Sequence, residues 1–438
     1  MNVILLSGGS GKRLWPLSND IRSKQFIKIF KKPDGEYESM VQRVYGQIRK
    51  VDPEAAVTIA TSKAQVSAIH NQLGTKVGIS VEPCRRDTFP AILLACAYLH
   101  YEKGISREEA VIVCPVDPYV EDSYFEALSE LGELAIGGES NLVLMGIAPT
   151  YPSEKYGYIL PRTAERVSFV ESFREKPQEK LAEEYIAKGA LWNGGIFAFQ
   201  LGYILDRGRE LVGFTDYKDL YDRYATLEKI SFDYAVVEKE TSIRVMRYEG
   251  QWKDLGTWNT LTEAMEEHII GNGICDRTCE NLHILNELNI PILCMGIKDA
   301  VVSASPEGIL VSDKHQSSYI KPYVDKMVGQ IMFAEKSWGS YKVCDVEEKG
   351  LTIKVTLNPG HHMYYHSHER REEVWTIISG RGYVVLDDIK RPVVPGDVIQ
   401  IPAGCKHTIY AETELKVMEV QLGTDIDVSD KVKHHWQF

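Results

Sequence analysis

Several features that would place this chain in a common class of protein are missing from it. It carries 50 basic and 62 acidic residues, a net charge of −12, and so lacks the basic surplus of a general nucleic-acid or anionic-membrane binder. No apolar run approaches the roughly 18 residues of a membrane-spanning helix. The first residues show no basic segment followed by an apolar one, so we expect no secretory signal. These absences predict a cytoplasmic protein with neither a nucleic-acid nor a membrane partner.

The eight cysteines also lack a pattern that would give them a role. None forms a Cys-x-x-Cys pair, and Cys275 and Cys279 have no second ligand pair nearby. Structural zinc sites and dithiol redox motifs need such pairs. We therefore predict reduced thiols, as is usual in a cytosolic protein.

The first 270 residues alternate short apolar runs with helical patterns. Strands are predicted at 3–7, 57–61, 77–82, 110–117 and 141–148, and helices at 40–50, 89–103 and 125–136. This rhythm is typical of βαβ units and predicts an α/β domain with a mainly parallel sheet. Ligands of such sheets bind beyond the carboxyl ends of the strands.

The pattern changes after residue 270. Short strands and turns continue to about residue 326, and from residue 327 strands follow one another with turn residues at short intervals. The last part therefore predicts a small antiparallel barrel or jelly roll. We expect three units: residues 1–270, a β-rich linker domain at 271–326, and a barrel at 327–438.

A glycine loop, "LLSGGSGKRLWPLS" at 5–18, follows the first predicted strand. It is not a P-loop, because Gly11-Lys12 is followed by Arg13. It is not a dinucleotide fingerprint either, because the third glycine position holds Leu14. Backbone N–H groups of such a loop can still surround a polyphosphate, with Arg13 and Lys24 supplying charge. The alternative is a tight turn beside a solvated basic face.

Two aspartates are candidates for a metal site next to this loop. Asp117 ends the run "AVIVCPVD", and Asp254 lies in "WKDLGTW". One carboxylate from each could hold Mg²⁺ between phosphates, since Mg²⁺ prefers one or two carboxylates plus phosphate oxygens and water. Alternatively, each is a cap in a turn.

The opening loop and seven further segments resemble mannose-1-phosphate guanylyltransferases. In order, the further segments are "VEPCRRDTFPAI" (81–92), "CPVD" (114–117), "KYGYIL" (155–160), "FREKP" (173–177), "WNGGIFAF" (192–199), "SFDYAVVEK" (231–239) and "WKDLGTW" (252–258). The resemblance implies a Rossmann-like nucleotidyltransferase fold. It also implies Mg²⁺-dependent transfer of GMP from GTP to mannose 1-phosphate.

The resemblance also implies roles for individual residues. Those expected at the triphosphate are Ser7, Gly8, Gly9, Gly11, Lys12 and Arg13, with Lys24 near the reacting phosphate. Those expected near the base and ribose are Glu82, Arg86 and Asp87. Those expected at the sugar phosphate are Gly157, Glu175, Lys176 and Asn193, while Asp117 and Asp254 would ligate Mg²⁺.

Four positions depart from the family pattern. Ser7 stands where Ala is usual, Lys12 where Thr or Ser is usual, Pro118 where a His often follows the metal Asp, and Gly194 where Ser is usual. The changes in the loop leave the phosphate chemistry intact. Pro118 and Gly194 leave open a second interpretation, transfer to another hexose 1-phosphate or from another base.

A second constellation lies near the end of the chain, where His366, His368, Glu373 and His407 are candidate ligands. Histidines two apart on a strand project to the same face. Three imidazoles and a carboxylate suit a first-row divalent metal such as Zn, Fe, Mn, Co or Ni. The spacing resembles a cupin: Gly360, five residues, His-x-His, four residues, Glu373, six residues, Gly380. The alternative is histidines on an exposed strand.

The order of the two parts resembles bifunctional mannose-1-phosphate guanylyltransferase/type II mannose-6-phosphate isomerase. That resemblance implies a cupin that interconverts mannose 6-phosphate and fructose 6-phosphate, with Arg370 or Arg371 holding the phosphate. The segment between His368 and Glu373 departs from the family form, so a non-catalytic metal-binding cupin stays open. We expect the enzyme to be a homo-oligomer.

Overall fold

The chain was analysed as a computed structural model that describes residues 1–9, 11–19, 21–327, 329–424, 426 and 430–436. Ser10 and Asp20 of the opening segment thus lie outside the described residues. Among those described, no helix is both long and apolar enough to cross a membrane.

The first part of the chain folds around one large sheet. Its strands and those of the small pairs beside it are β1 (Asn2–Ser7), β2 (Lys28–Lys31), β3 (Tyr37–Ser39), β4 (Ala56–Ser62), β5 (Gly78–Glu82), β6 (Ala110–Pro115), β7 (Pro118–Val120), β8 (Leu142–Ile147), β9 (Gly157–Pro161), β10 (Val167–Arg174), β11 (Leu191–Gln200), β12 (Ile243–Tyr248) and β13 (Trp252–Asp254). The strand order in the large sheet is β5-β4-β1-β6-β11-β8-β12-β10-β9. The pairs from β5 to β6 are parallel, as predicted. The rest of the sheet is mixed, because β11 runs antiparallel to β6, β8 and β9.

Helices cover both faces of this sheet. They are α1 (Met40–Val51), α2 (Val66–Leu73), α3 (Thr88–Ala97), α4 (Asp122–Ile136), α5 (Glu179–Ala187), α6 (Leu201–Val212), α7 (Tyr217–Arg223), α8 (Phe232–Ala235) and α9 (Trp258–Thr262). Successive residues of β1 show the two-sided burial: Val3 and Leu5 pack into one apolar cluster, and Ile4 packs into the other. The predicted α/β fold class is therefore confirmed.

The helices begin at residues that the capping rules favour. Ser39 accepts a hydrogen bond from the Gln42 N–H, and the Gln42 side chain accepts one from the Ser39 N–H, which makes a capping box at α1. Asp87 caps α3 and accepts from the Thr88 N–H. The α3 sequence "TFPAILLACA" is apolar throughout because this helix is buried on all sides.

A short antiparallel pair brings the ends of two distant segments together. Strand β7 follows Asp117, and β13 ends at Asp254. In their register, Asp254 lies opposite Pro118. Residues 117 and 254 are thus neighbours in space although 136 residues lie between them in the chain.

Short strands and two small sheets follow. The strands are β14 (Ile269–Gly271), β15 (Gly273–Cys275), β16 (His283–Asn286), β17 (Ile292–Cys294), β18 (Ala300–Ser305) and β19 (Gly308–Asp313), and the short helix α10 (Lys321–Val324) ends the segment. One sheet has the order β14-β16-β18-β19 and the other pairs β15 with β17. The described cysteines are all free thiols, as predicted.

The last part is a sandwich of two antiparallel sheets. Its strands are β20 (Phe333–Lys336), β21 (Gly339–Glu347), β22 (Gly350–Leu357), β23 (His366–Ser367), β24 (Arg371–Ser379), β25 (Gly382–Leu386), β26 (Ile389–Val393), β27 (Val398–Ile401), β28 (His407–Ala411), β29 (Leu415–Gly423) and β30 (Val432–Lys433). One sheet has the order β20-β21-β22-β29-β24-β27 and the other β26-β25-β28-β23-β30. Alternate residues of β22 are buried, as the two-residue period of a half-buried strand requires.

The three parts meet at the segment that follows the glycine loop. The Arg22 guanidinium makes two 2.8 Å bonds to the carboxylate of Glu287. Asn19 donates to Glu307 at 2.8 Å and to the Phe333 carbonyl at 2.8 Å. A Cβ at Gly308 would lie 2.5 Å from the Trp15 ring, so this glycine permits the close contact.

Candidate active sites

The glycine loop is held in place by buried polar side chains. The Gly9 carbonyl accepts from Ser23 Oγ at 2.8 Å and from Gln65 Nε2 at 3.3 Å. Ser7, predicted at the nucleotide, is buried and contacts Gln25 and Gln65. Two side chains therefore hold the Gly9 carbonyl in place.

Gly11 connects the loop to Lys24. Its φ of 63° lies in the left-handed region, and a Cβ there would lie 2.6 Å from the Lys24 backbone nitrogen. Only glycine satisfies both conditions. The backbone at Gly11 therefore packs directly against the backbone of the segment that carries Lys24.

Lys24 joins the two predicted metal ligands. Its Nζ lies 2.5 Å from Asp117 Oδ2 and 3.6 Å from Asp254 Oδ1. Burial opposes the charge of Lys24, but Asp117 and Asp254 outweigh it and raise its pKa. The structure thus brings Lys24, Asp117 and Asp254 together beside the glycine loop. Two carboxylates are a donor set that fits Mg²⁺.

The two other basic residues of the loop differ in their surroundings. Lys12 Nζ lies 3.4 Å from Asp325 Oδ1. Arg13 is exposed. Of the two, Arg13 is therefore the side chain that can reach a phosphate without breaking an ion pair in this structure.

A cavity of about 410 Å³ opens next to Gly8 and Gly9. Glu82 lies in its wall and accepts from the Tyr224 hydroxyl at 2.7 Å. Burial raises the pKa of Glu82, and the Tyr224 hydroxyl only partly offsets this. Arg85 and Asp87 also line the cavity, whereas the Arg86 guanidinium donates to the carbonyl of Ala225. Of the three residues predicted near base and ribose, Glu82, Arg86 and Asp87, Arg86 is thus the one that does not line the cavity.

The residues predicted at the sugar form a polar group next to Asp233, which lines this cavity; Glu175 and Asn193 are buried, and Lys176 is exposed. Asn193 Nδ2 donates to Asp233 Oδ1 at 2.6 Å, and Lys176 Nζ donates to Glu175 Oε1 at 2.5 Å. The other oxygen of Glu175, Oε2, is buried and has no partner among the described residues. A Cβ at Gly157 would lie 2.5 Å from it. Because Gly157 has no side chain, it leaves the space in which this carboxylate oxygen lies.

Asp233 has a raised pKa in this group. Burial and the neighbouring Glu175 carboxylate raise its pKa to about 6, although the Asn193 amide opposes the shift. Near neutral pH the site therefore holds a carboxyl group whose ionisation is costly.

The second site lies inside the sandwich. Ligand nitrogens of His366, His368 and His407 all lie within 4.8 Å of one another, and all three side chains are buried. Their Nδ1 atoms face the backbone carbonyls of Tyr364, Asp430 and Cys405. Metal-binding histidines commonly have such a contact at the nitrogen that does not bind the metal. It leaves Nε2 of each ring facing the centre of the cluster.

Glu373 lies against two of these rings. Its Oε1 is 3.2 Å from His368 Nε2, and its Oε2 is 3.4 Å from His407 Nε2. Burial opposes ionisation of Glu373, but the contacts with His368 and His407 outweigh it and hold its pKa well below the usual range. His407 Nε2 is buried with no hydrogen-bond partner among the described residues. An unsatisfied imidazole nitrogen beside a carboxylate fits a divalent metal.

The two arginines of the intervening segment differ in position. Arg371 Nε lies 3.2 Å from Glu373 Oε1, and its Nη2 lies 3.0 Å from His368 Nε2. Arg370 lies 3.7 Å from Asp430 and is more exposed. Arg371 is thus the arginine that faces the metal centre.

Comparisons with known proteins agree with this architecture. Residues 2–269 match the family described as Nucleotidyl transferase, and residues 353–421 match the one described as Cupin domain. The chain belongs to the nucleotidyl transferase family. The predicted order, a nucleotidyltransferase domain followed by a cupin, is confirmed for this nucleotidyl transferase.

Named relatives span its full length. Xanthan biosynthesis protein XanB of Xanthomonas campestris pv. campestris is 28% identical over 469 residues, covering 98% of this chain and 97% of that protein. Mannose-1-phosphate guanylyltransferase of Escherichia coli is 27% identical over 472 residues, covering 98% and 97%. A crystal structure described as mannose-1-phosphate geranyltransferase from Thermus thermophilus is 29% identical, with a TM-score of 0.62, and covers 74% of this chain and 98% of that one. These names bear out the resemblance drawn from the motifs.

Several contributors to the sites escaped the sequence analysis. They are Gln65, Ser23, Arg85, Tyr224 and Asp233 in the transferase part and Lys336, Glu419 and Lys431 in the cupin. Asp233 lies within the segment "SFDYAVVEK" and Arg85 within "VEPCRRDTFPAI", so both could have been found there. The others reach the sites through contacts between distant segments, which no quoted motif contains.

Proposed function

We propose that this nucleotidyl transferase moves GMP from GTP to mannose 1-phosphate, giving GDP-mannose and pyrophosphate. The observation that carries the proposal is the position of Lys24, with its ammonium 2.5 Å from Asp117 and 3.6 Å from Asp254 at the end of a glycine loop. The choice of base and sugar is supported by the names of full-length relatives such as the Escherichia coli guanylyltransferase.

The reaction forms one bond and breaks one. An oxygen of the sugar phosphate attacks the α-phosphorus of GTP, and the bond from that phosphorus to the β-phosphate oxygen breaks, so pyrophosphate leaves. Because the sugar phosphate is already an anion, no general base is needed. Catalysis then rests on positioning and on neutralising charge.

Each group of residues at this site would have its own role in the reaction. Backbone N–H groups of Gly8, Gly9 and Gly11, with Arg13, would hold the triphosphate. Lys24 would lie beside the reacting phosphate. Asp117 and Asp254 would hold Mg²⁺, which supplies neutralisation of the phosphate charges.

The two ends of the cavity suit the two substrates. Glu82 and Asp87 lie on the side of Gly8 and would face base and ribose. Asp233 is also in the wall, and its neighbours Glu175, Lys176 and Asn193 would bind the hydroxyls and phosphate of the sugar. The unpartnered Glu175 Oε2 is an acceptor suited to a sugar hydroxyl.

A matrix of four nucleoside triphosphates and several hexose 1-phosphates, with pyrophosphate release as the readout, tests the substrate pair. We expect GTP with mannose 1-phosphate to have the highest kcat/KM. A higher value for another pair would refute this assignment and favour the second interpretation of Pro118 and Gly194.

Variants of Lys24 test the site itself. We expect Lys24→Gln to lower kcat by about 10²–10³, the usual loss when one preorganised charge on the transition state is removed. Lys28→Gln is the matched control, because Lys28 is exposed four residues further on. Equal activity of the two variants would contradict the role of Lys24.

A second function is favoured by the three imidazole nitrogens that converge inside the cupin. We infer that His366, His368, His407 and Glu373 bind one first-row divalent metal. This metal would polarise the carbonyl of a sugar phosphate during exchange between mannose 6-phosphate and fructose 6-phosphate. The chain's own residues would orient the sugar in the cavity that the histidines face.

Metal content and isomerase activity test this second function separately. We expect elemental analysis to find one first-row metal ion per chain. This ion should be lost in His407→Gln and kept in His361→Ala, since His361 is exposed. Aldose–ketose exchange should follow the metal. A metal-loaded protein without exchange would leave a metal-binding cupin that is not an isomerase.

A further inference from the structure

The cupin encloses a cavity of about 550 Å³ beside the histidine cluster. One wall is apolar and includes Trp338, Leu351 and Met363. His366 and Glu373 lie in the wall at the metal centre. A cavity of this volume can hold a monosaccharide phosphate.

Two lysines, Lys336 and Lys431, lie in the wall of this cavity. Lys336 is half-buried at the end of β20, and its Nζ lies 5.5 Å from the centre of the Tyr341 ring. Lys431 enters the cavity just before β30. Within the described part of the chain, no carboxylate is in ion-pair contact with either ammonium group. Arg371, a third cation in the wall, is bound to Glu373.

The carboxylates of the cavity contact other side chains. Glu373 is engaged by Arg371 and the two histidines. Glu419 accepts a hydrogen bond from the Gln421 side chain. Among the described residues, neither carboxylate is in ion-pair contact with Lys336 or Lys431.

Lys336 is half-buried and Lys431 is exposed, so a ligand that enters the cavity can reach both ammonium groups. An anion between them would reduce their mutual repulsion.

We propose that Lys336 and Lys431 bind the phosphate group of a sugar phosphate in this cavity, with the sugar directed toward the three histidines. The inference deepens the isomerase function proposed above and rests on it for the identity of the sugar. It also assigns the phosphate to these lysines rather than to Arg370 or Arg371, because Arg371 is held by Glu373 and Arg370 lies 3.7 Å from Asp430.

Calorimetric titrations of the full-length, metal-loaded protein with mannose 6-phosphate and with mannose test the proposal. We expect Lys336→Gln and Lys431→Gln each to weaken binding of mannose 6-phosphate about 10-fold or more, as loss of one charge-assisted contact does. Binding of mannose, which has no phosphate, should stay unchanged. The matched control is Lys354→Gln, since Lys354 lies between Ile353 and Val355 on β22 and faces away from the cavity that they line.

Two further measurements assign the binding to this cavity. Glu175→Gln alters the sugar end of the transferase site, so binding that survives in this variant belongs to the cupin. GMP transfer by the Lys336 and Lys431 variants reports that the chain is folded, because neither residue lies in the transferase site.

The proposal would be overturned if the wild type did not bind mannose 6-phosphate, or if both lysine variants bound it as well as the wild type. Equal loss of mannose and mannose 6-phosphate in the variants would also overturn it. A protein that binds mannose 6-phosphate through these lysines but exchanges no aldose and ketose would support the phosphate site and refute the isomerase.

Discussion

Individual side chains in the transferase site are held by partners far away in the sequence. Glu82 is bonded by Tyr224, and Asn193 by Asp233. These hydrogen bonds join segments that are far apart in the sequence and meet only in the folded chain. A substitution of the partner should therefore change the site without touching a substrate.

Asp233→Asn should make the stability of the transferase part less dependent on pH. The pKa of Asp233 is raised from 3.8 to about 6 by burial and Glu175. Because the folded chain then binds this proton more tightly than the unfolded chain, the wild type loses stability as pH rises through this range. Asparagine cannot ionise, and its Oδ1 can still accept from Asn193.

We expect Asp233→Asn to raise the apparent Tm at about pH 7.5 by the equivalent of up to about 3 kcal/mol, and at about pH 4.5 by only about a third of that. Thermal denaturation across this pH range gives the measurement. Asp222→Asn, at an exposed ion pair with Lys218, is the control. A pH-independent difference between the variant and the wild type would contradict the raised pKa.

The sequence predicted which residues meet in the site better than it predicted where their side chains point. Lys24, Asp117 and Asp254 were expected at one place and lie there. Lys12 and Arg86 belong to the same motifs, yet one contacts Asp325 and the other the carbonyl of Ala225. The direction of a long side chain depends on partners from distant segments, which the local motif does not contain.

At the scale of elements, strand β11 shapes the sugar end of the cavity. It runs antiparallel between β6 and β8, and its residue Asn193 pairs with Gly157 of β9. The parallel half of the sheet was predicted, because alternating strands and helices require crossovers. The direction of β11 was not, since a strand buried on both faces has the same apolar pattern in either direction.

Gly157→Ala should impair the sugar end of the site and spare the nucleotide end. The added Cβ would lie 2.5 Å from Glu175 Oε2, so the carboxylate must move. We expect KM for mannose 1-phosphate to rise about 10-fold or more, with KM for GTP nearly unchanged.

Steady-state kinetics with each substrate varied in turn make this measurement. Gly46→Ala is the control, because a Cβ at Gly46 meets no atom within 4 Å and lies in helix α1. An unchanged KM for the sugar phosphate in Gly157→Ala would show that Glu175 does not bind it.

At the scale of the whole molecule, the region after the glycine loop is the meeting point of all three parts. Arg22 bonds Glu287 of the small sheets, and Asn19 bonds Glu307 and the backbone of β20. The order of the parts was predictable from composition and motifs. The contacts between them were not, because each is made by single polar residues without a pattern.

Glu287→Gln should destabilise the chain and weaken GTP binding. Burial opposes the charge of Arg22, and Glu287 outweighs it and raises the pKa of Arg22. Removing that carboxylate leaves a guanidinium that is only 9% exposed without its main partner. We expect a loss of about 1–3 kcal/mol, somewhat less than for a fully buried pair because Glu287 is partly exposed.

Thermal denaturation and KM for GTP would show this effect. Glu280→Gln is the matched control, since its pair with Lys298 is exposed on both sides and should contribute about 0–1 kcal/mol. If Glu287→Gln matched this control in Tm, the Arg22 contact would not be the link between the parts.

Ile21, one residue before Arg22, lies in the wall of the cupin cavity, while Lys24 lies in the transferase site. Only a few residues consequently separate the cupin cavity from the transferase site. A cupin domain from another chain could not simply replace this one. Its cavity would be completed by Ile21, a residue from a transferase domain with which it had not evolved. Exchange of domains among such enzymes would therefore have to carry the opening loop along with the barrel.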